Sequence, residues 1–350
     1  MKERTKEIVR DGFSSLVNNA ACIRGAKSGP FWLTLVMFIL AVLLPVLPIF
    51  IAQNNVKGSS FIANNSYGVE RYMTKIGTEL KDDNVTFEID EEHFLHVKED
   101  GTEIDYVTYG SQKPYAAYIN QVTNQYDFFI YVSDVATNKD KSAVNTAILA
   151  NTYKVGTDEK STSTEDILYL PSYMILFKNG LYVAIVAPDT NKLIAQSYSG
   201  DFLSVKEGTD LLVDLMTVKT KEGNDIAPSL TDPEYEKGVL ANFKTLLNKS
   251  YANLKIKNTW LTSLIYLGVF FGLSILMGFL MWLLTRGKNN PNNYYTLWLC
   301  YKIQGRLSLC PALITLILGL FLTQYAPIIY IGTIGLRVMW MSMKELRPVQ

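Results

Sequence analysis

The sequence predicts a membrane protein with four transmembrane α-helices, one N-terminal and three C-terminal, and an extracytoplasmic α+β domain containing an antiparallel sheet. Three observations predict it. First, charge is partitioned along the 350 residues. Residues 52–258 hold 20 Lys+Arg against 29 Asp+Glu, while the rest of the chain holds 13 against 4. An acidic middle between basic, apolar ends is not the pattern of one soluble domain. Second, long uncharged apolar runs flank that middle. Third, short basic segments flank the runs on one side only.

Residues 1–30 form a basic N-terminal segment. Within Thr5–Ala21, Val9, Phe13, Leu16, Val17 and Ala20 recur at helical spacing. The pattern predicts an amphipathic helix on the inner membrane surface, with a partly ordered tail as the alternative. Residues 31–52, FWLTLVMFILAVLLPVLPIFIA, carry no charge and exceed the roughly 20 residues needed to cross ~30 Å of hydrocarbon. No small-x-small cleavage site follows, so the run is read as a retained anchor, kinked by Pro45 and Pro48.

Residues 53–258 make up the extracytoplasmic domain. An Asn/Ser/Gly-rich linker over 53–65 leads into a helix over Tyr67–Asp82, whose apolar stripe is Val69, Tyr72, Met73, Ile76 and Leu80. Strand-like runs follow: VTFEID, DYVTYG, DFFIYVSD, DILYLPSYMILF, LYVAIVAP and KLIAQSYS. Asn179-Gly180 between two apolar runs signals a hairpin. A helix from Asp232 to Lys257 is expected to continue into the second span as a stalk.

The second span, 259–285, carries Gly268, Gly272, Ser274 and Gly278 at spacings that let helices approach closely. Residues 286–306 read as a cytoplasmic, interfacial connection. Lys302 and Arg306, four apart, share a helix face beside Trp298. They are expected to meet anionic lipid headgroups, with Trp298 at the interface. The third span is 307–323. The fourth, 327–343, contains Arg337, read as snorkelling to the headgroups, with inter-helix bonding as the next alternative. A basic tail, 344–350, follows.

The short basic clusters orient the chain. Lys2, Arg4, Lys6, Arg10, Arg24 and Lys27 precede the first span, Arg286, Lys288, Lys302 and Arg306 follow the second, and Lys344 and Arg347 follow the fourth. Four spans place them all in the cytoplasm, with both termini.

Little in the sequence points to chemistry. Cys22, Cys300 and Cys310 have no metal-ligand spacing. Glu91, Glu92, His93 and His96 cluster, but on a strand positions three apart face opposite ways, so a solvated acidic turn is the better reading. No nucleophile elbow, phosphate loop or dinucleotide fingerprint is present. The expectation is therefore no enzyme, no cofactor and no metal. Net acidity of the middle argues against nucleic acid. Tyr106, Tyr109, Tyr115, Tyr118, Tyr126 and Tyr131 suit sheet packing first and a sugar or peptide ligand second.

The tract Tyr294-Tyr295-x-x-Trp298, the polar-aromatic approach to Pro311 and the apolar run after it resemble a family of bacterial membrane proteins of unknown function, named from gene neighbourhood for maltodextrin utilisation. VTFEIDEEHFLHV, DFFIYVSD and ILYLPSYMILFKNG are similar to that family's strand pattern. The C-terminal block distantly resembles the Yip-type multispan proteins. The resemblance implies the plasma membrane of a Gram-positive or wall-less bacterium and carries over no catalytic residue.

The functional expectation is a non-enzymatic accessory, sensing or scaffold component of a transport or cell-envelope system. Its partners would be the bilayer and a membrane-protein partner or a second copy. The alternative is a carbohydrate-related permease component acting as an oligomer. Few spans and no intramembrane carboxylates weigh against it.

Overall fold

The computed structural model describes residues 10–62, 68–104, 114–122, 124, 126–155, 171–186, 195–220, 222–286 and 290–346. They fall into two units, one formed by Val56–Lys255 and the other by the flanking segments. The elements in chain order are α1 (Asn19–Ser28), α2 (Phe31–Leu43), α3 (Val46–Asn54), α4 (Val69–Asp82), β1 (Val85–Ile89), β2 (Leu95–Glu99), β3 (Thr102–Glu103), β4 (Ala116–Ile119), β5 (Tyr126–Ser133), α5 (Asn138–Val155), β6 (Ser172–Phe177), β7 (Gly180–Val186), β8 (Ala195–Asp201), α6 (Leu211–Met216), α7 (Pro233–Leu284), α8 (Leu297–Leu307), α9 (Leu309–Phe321) and α10 (Ala326–Met341).

The α+β unit holds two sheets. β1, β2 and β3 form an antiparallel meander in which Val85, Phe87 and Ile89 face inward at every second position. The second sheet has the order β4-β5-β6-β7-β8. It is not wholly antiparallel: β5 and β6 run parallel, Phe128 opposite Ser172 through Ser133 opposite Phe177. Parallel neighbours need a crossover, and α5 lies in the connection. The sheet is covered on both faces. Phe128, Ile130 and Val132 join a core with α4, α6 and the start of α7, while Phe129, Tyr131 and Tyr173 pack with Val144 and Ile148 of α5. Burial on both faces is why these strands are apolar at consecutive positions instead of alternating.

Several local signals hold. α4 buries Val69, Met73, Ile76 and Leu80, starting after Gly68 in the left-handed region at φ 83°. The β6–β7 hairpin turns through Lys178 and Asn179, with Phe177 opposite Gly180. Gly180 is required by space: a Cβ there would overlap the Gly200 carbonyl of β8. The start of the expected linker is instead packed. Ile62 is buried and Ser59 N donates to Asn248 Oδ1 at 3.0 Å. The DYVTYG run, Tyr106, Tyr109, Lys288 and Arg347 lie outside the described residues.

Pro233 opens α7, where a missing N–H costs nothing, and Asp232 Oδ1 accepts from Glu234 N at 2.8 Å. Along its polar half Tyr235, Val239, Phe243 and Leu247 recur at helical spacing and are buried in the α+β core. Past Thr259 the same helix is apolar and belongs to the helical unit.

Four helical segments among the described residues are long and apolar enough to cross a membrane: Phe31–Asn54, Pro233–Leu284, Leu297–Phe321 and Thr323–Leu346. Pro45 separates α2 from α3, as expected of a residue that cannot donate within a helix. The third segment begins at Leu297, ten positions before the expected boundary, because α8 and α9 join at Ser308 with only a slight break. The expected N-terminal helix is interrupted: residues 15–17 form a turn, and Asn18 caps α1 by accepting from Ala20 N at 2.9 Å. The helical unit's interior centres on Ala41, Phe270, Ala312, Tyr330 and Ile334, and on Cys22, Met281, Ile303 and Leu307.

Candidate functional site

Among the described residues, a cleft of about 430 Å³ lies between α6 and the first half of α7 in the α+β unit. α6 is only six residues, too short to persist alone, so neighbours hold it. Asp210 Oδ1 accepts from Leu212 N at 2.9 Å and from Phe87 N at 3.1 Å, tying the start of α6 to β1. At the other end Asn242 Nδ2 donates to the carbonyls of Leu215 (3.1 Å) and Thr217 (2.9 Å), and the Tyr235 hydroxyl donates to that of Met216 (2.7 Å). These bonds satisfy carbonyls that the helix end leaves open.

The cleft floor is aliphatic, made by Leu211, Leu215 and Leu246 with Val205. Its rim carries Lys219 and Lys249. Lys249 Nζ stands 3.7 Å from Asp214 Oδ2, an exposed pair of small energetic value. Among the described residues Lys219 has no carboxylate partner. Among the described residues no aromatic ring lines the cleft. The same three leucines form one wall of a small apolar void of about 30 Å³ on the core side of α6. Nothing in the sequence alone marked this site. Its residues come from segments some thirty positions apart, and none belongs to a motif.

The expected lipid-contact residues separate. Trp298 is 56% exposed and packs its ring 5.3 Å from that of Phe31. Lys302 is half-buried. Arg306 is 1% exposed, which corrects its reading as a headgroup contact. Its Nε donates to Thr34 Oγ1 at 3.1 Å, its Nη2 is buried without an acceptor, and its guanidinium lies against Gly25 and Gly29. The absence of side chains on those glycines admits the guanidinium to the last turn of α1, where helix carbonyls favour a cation. Lys302 and Arg306 do lie four apart on a helix. α1 and α2 cover Arg306, and no local signal reports that cover.

Arg337 likewise turns inward instead of snorkelling, the inter-helix alternative. It donates to the Leu307 carbonyl at 2.9 Å, to Asn19 Oδ1 at 3.3 Å and to the Ser15 carbonyl. Among the described residues no carboxylate pairs with Arg306 or Arg337; Asp11 pairs with Arg24 at 3.6 Å.

The small residues of α7 also divide. Gly278 is buried against the Tyr301 ring, and Ser274 Oγ lies 3.1 Å from the Tyr330 hydroxyl. Gly268 and Gly272 face open space and pack against no other helix among the described residues.

The histidine cluster is a structural clasp. His96 sits on β2 with Nδ1 2.6 Å from Glu103 Oε1 and Nε2 2.8 Å from Asp90 Oδ2. The Glu103 carboxylate first, and Asp90 second, push its pKa up. His93 lies in the turn between β1 and β2, at φ 62°. Tyr118 and Tyr131 are buried in sheet packing, and the Tyr115 hydroxyl donates to Glu99 at 2.7 Å.

The chain matches no protein family, no curated protein and no solved structure.

Proposed function

We propose that this chain is a non-enzymatic membrane protein whose α+β unit binds a ligand, serving as a sensing or accessory component of a transport or envelope system. The observation that carries the reading is the cleft between α6 and α7. Its volume falls within the range of small-molecule sites, and it combines an aliphatic floor with a few charged and amide groups. The distribution of basic flanks supports a placement with both termini cytoplasmic and the α+β unit outside a bacterial plasma membrane.

The test is thermal unfolding of the full chain in nanodiscs with maltodextrins, short peptides, small anions and anionic amphiphiles. A ligand at a hundred times its Kd should stabilise by about 2.7 kcal/mol. The shift should disappear in Thr245→Trp, which fills the cleft. No shift with any compound class would sink the binding reading.

A permease component is the second reading. It is favoured by buried polar groups in the membrane-length helices, Ser274 against Tyr330 between two helices and Gln304 Nε2 to Ser308 Oγ at 3.2 Å within one. Substrate uptake by proteoliposomes holding only this chain would establish it over the first.

A further inference from the structure

The chemistry of the cleft selects a ligand class. We propose that the α6–α7 cleft takes a single-chain anionic amphiphile, with its carboxylate or phosphate head between Lys219 and Lys249 and its aliphatic tail on the leucine floor. This rests on the reading of the cleft as a ligand site.

Three features converge. The floor, Val205, Leu211, Leu215 and Leu246, is aliphatic, and among the described residues no aromatic face lines the cleft to stack on a sugar ring. An aliphatic surface rewards burial of methylene groups by about 0.8 kcal/mol each and offers nothing directional to a polar ligand. The charged groups stand at the rim. Lys219 is exposed with no carboxylate partner among the described residues, and Lys249 holds only the long contact to Asp214. Two ammonium groups against one weakly engaged carboxylate leave a net positive rim, complementary to an anionic head.

The third feature couples the head to the tail. Asp214 belongs to α6 and Lys249 to α7, so their exposed ion pair spans the cleft. An anionic head that recruits Lys249 displaces Asp214 from it at little cost, because the contact is long and exposed. Behind α6 lies the apolar void bounded by Leu211, Leu215 and Leu246. Movement of those leucines joins void and cleft, lengthening the space for the tail. Met216, flexible and packed against Gly77, is suited to repacking as α6 shifts.

The test uses the full chain in nanodiscs, with Val213→Cys on the cleft rim carrying an environment-sensitive dye. Residues 53–258 contain no other cysteine. The probes are dodecyl phosphate, dodecanol, inorganic phosphate, maltotriose and a tripeptide. The expected result is a saturable change with dodecyl phosphate, weakened at least tenfold by Lys219→Glu with Lys249→Glu, and none with dodecanol or inorganic phosphate. Both lysines are at the surface, so the charge-reversed chain should retain its unfolding temperature. An equal response in the charge-reversed chain would show simple partition into the bilayer and overturn the proposal. A response to maltotriose or tripeptide alone would overturn it while leaving the cleft a ligand site. Silence with every probe would overturn both.

Discussion

Arg306 Nε donates to the hydroxyl of Thr34 at 3.1 Å, across 272 positions of chain. The bond joins α8 to α2 and is the guanidinium's only hydrogen bond among the described residues; Nη2 is buried without one. A buried cation with a single neutral partner contributes little to stability, because desolvation offsets what the contact supplies. Arg306→Met should therefore leave the unfolding temperature in nanodiscs nearly unchanged or raise it. Thr34→Val, which strands Nε as well, should cost about 1–3 kcal/mol. A large loss in Arg306→Met together with a neutral Thr34→Val would refute this account.

Gly25 tests the fit of that guanidinium. Alanine is ordinarily better than glycine in a helix by about 1 kcal/mol. Here its methyl would overlap the Arg306 guanidinium. Overpacking costs about 1–3 kcal/mol and should win, so Gly25→Ala should destabilise. In an Arg306→Met background the same change should turn neutral or favourable. Thermal melts of the four proteins give the coupling directly.

Arg337 fixes the segment before α1. Its removal leaves the carbonyls of Ser15 and Leu307 without that donor. Hydrogen bonds from charged groups contribute about 1.5–3 kcal/mol each. Arg337→Met should loosen the N-terminal segment first. Faster proteolysis after Arg10 or Arg24, with the α+β unit intact, is the expected outcome.

The glycines of α7 should respond differently from one another. Gly278→Ala drives a methyl into the Tyr301 ring and should destabilise by about 1–3 kcal/mol. Gly268→Ala and Gly272→Ala meet nothing and should be neutral or stabilise by up to about 1 kcal/mol through helix propensity. Melts of the three single variants decide it.

His96 makes the α+β unit pH-dependent. Its pKa is raised in the folded state, chiefly by Glu103 and then by Asp90. Protonated imidazole is thus favoured by folding. The contribution is fully present below the unfolded value near 6.5 and is lost as pH rises through the folded pKa. The difference in unfolding temperature between the wild-type chain and His96→Gln should be largest near pH 5.5 and shrink toward pH 8.5. A difference that grows with pH would reverse the assignment. The side chain is one-third exposed, so the effect should be modest and weaken with salt.

Features that depend only on neighbouring residues were legible in the sequence. Uncharged length located the spans 31–52 and 259–285, because hydropathy and rise per residue are local quantities. The stripe Val69, Met73, Ile76, Leu80 fixed α4, and Asn179-Gly180 fixed a hairpin, although Gly180 proved to serve the approach of Gly200. Tertiary structure decided the rest. The unbroken apolar run Phe128–Val132 showed a strand, but its parallel partner lies more than forty positions away across α5. Arg306 at an interfacial spacing became a buried group because Gly25 and Gly29 open the end of α1 to it. The α6–α7 cleft exists only where two helices from separate segments leave leucines and lysines facing one space. Pairing partners, burial and cavities depend on which segments meet, and single-sequence periodicity records only that a face is buried, not what buries it.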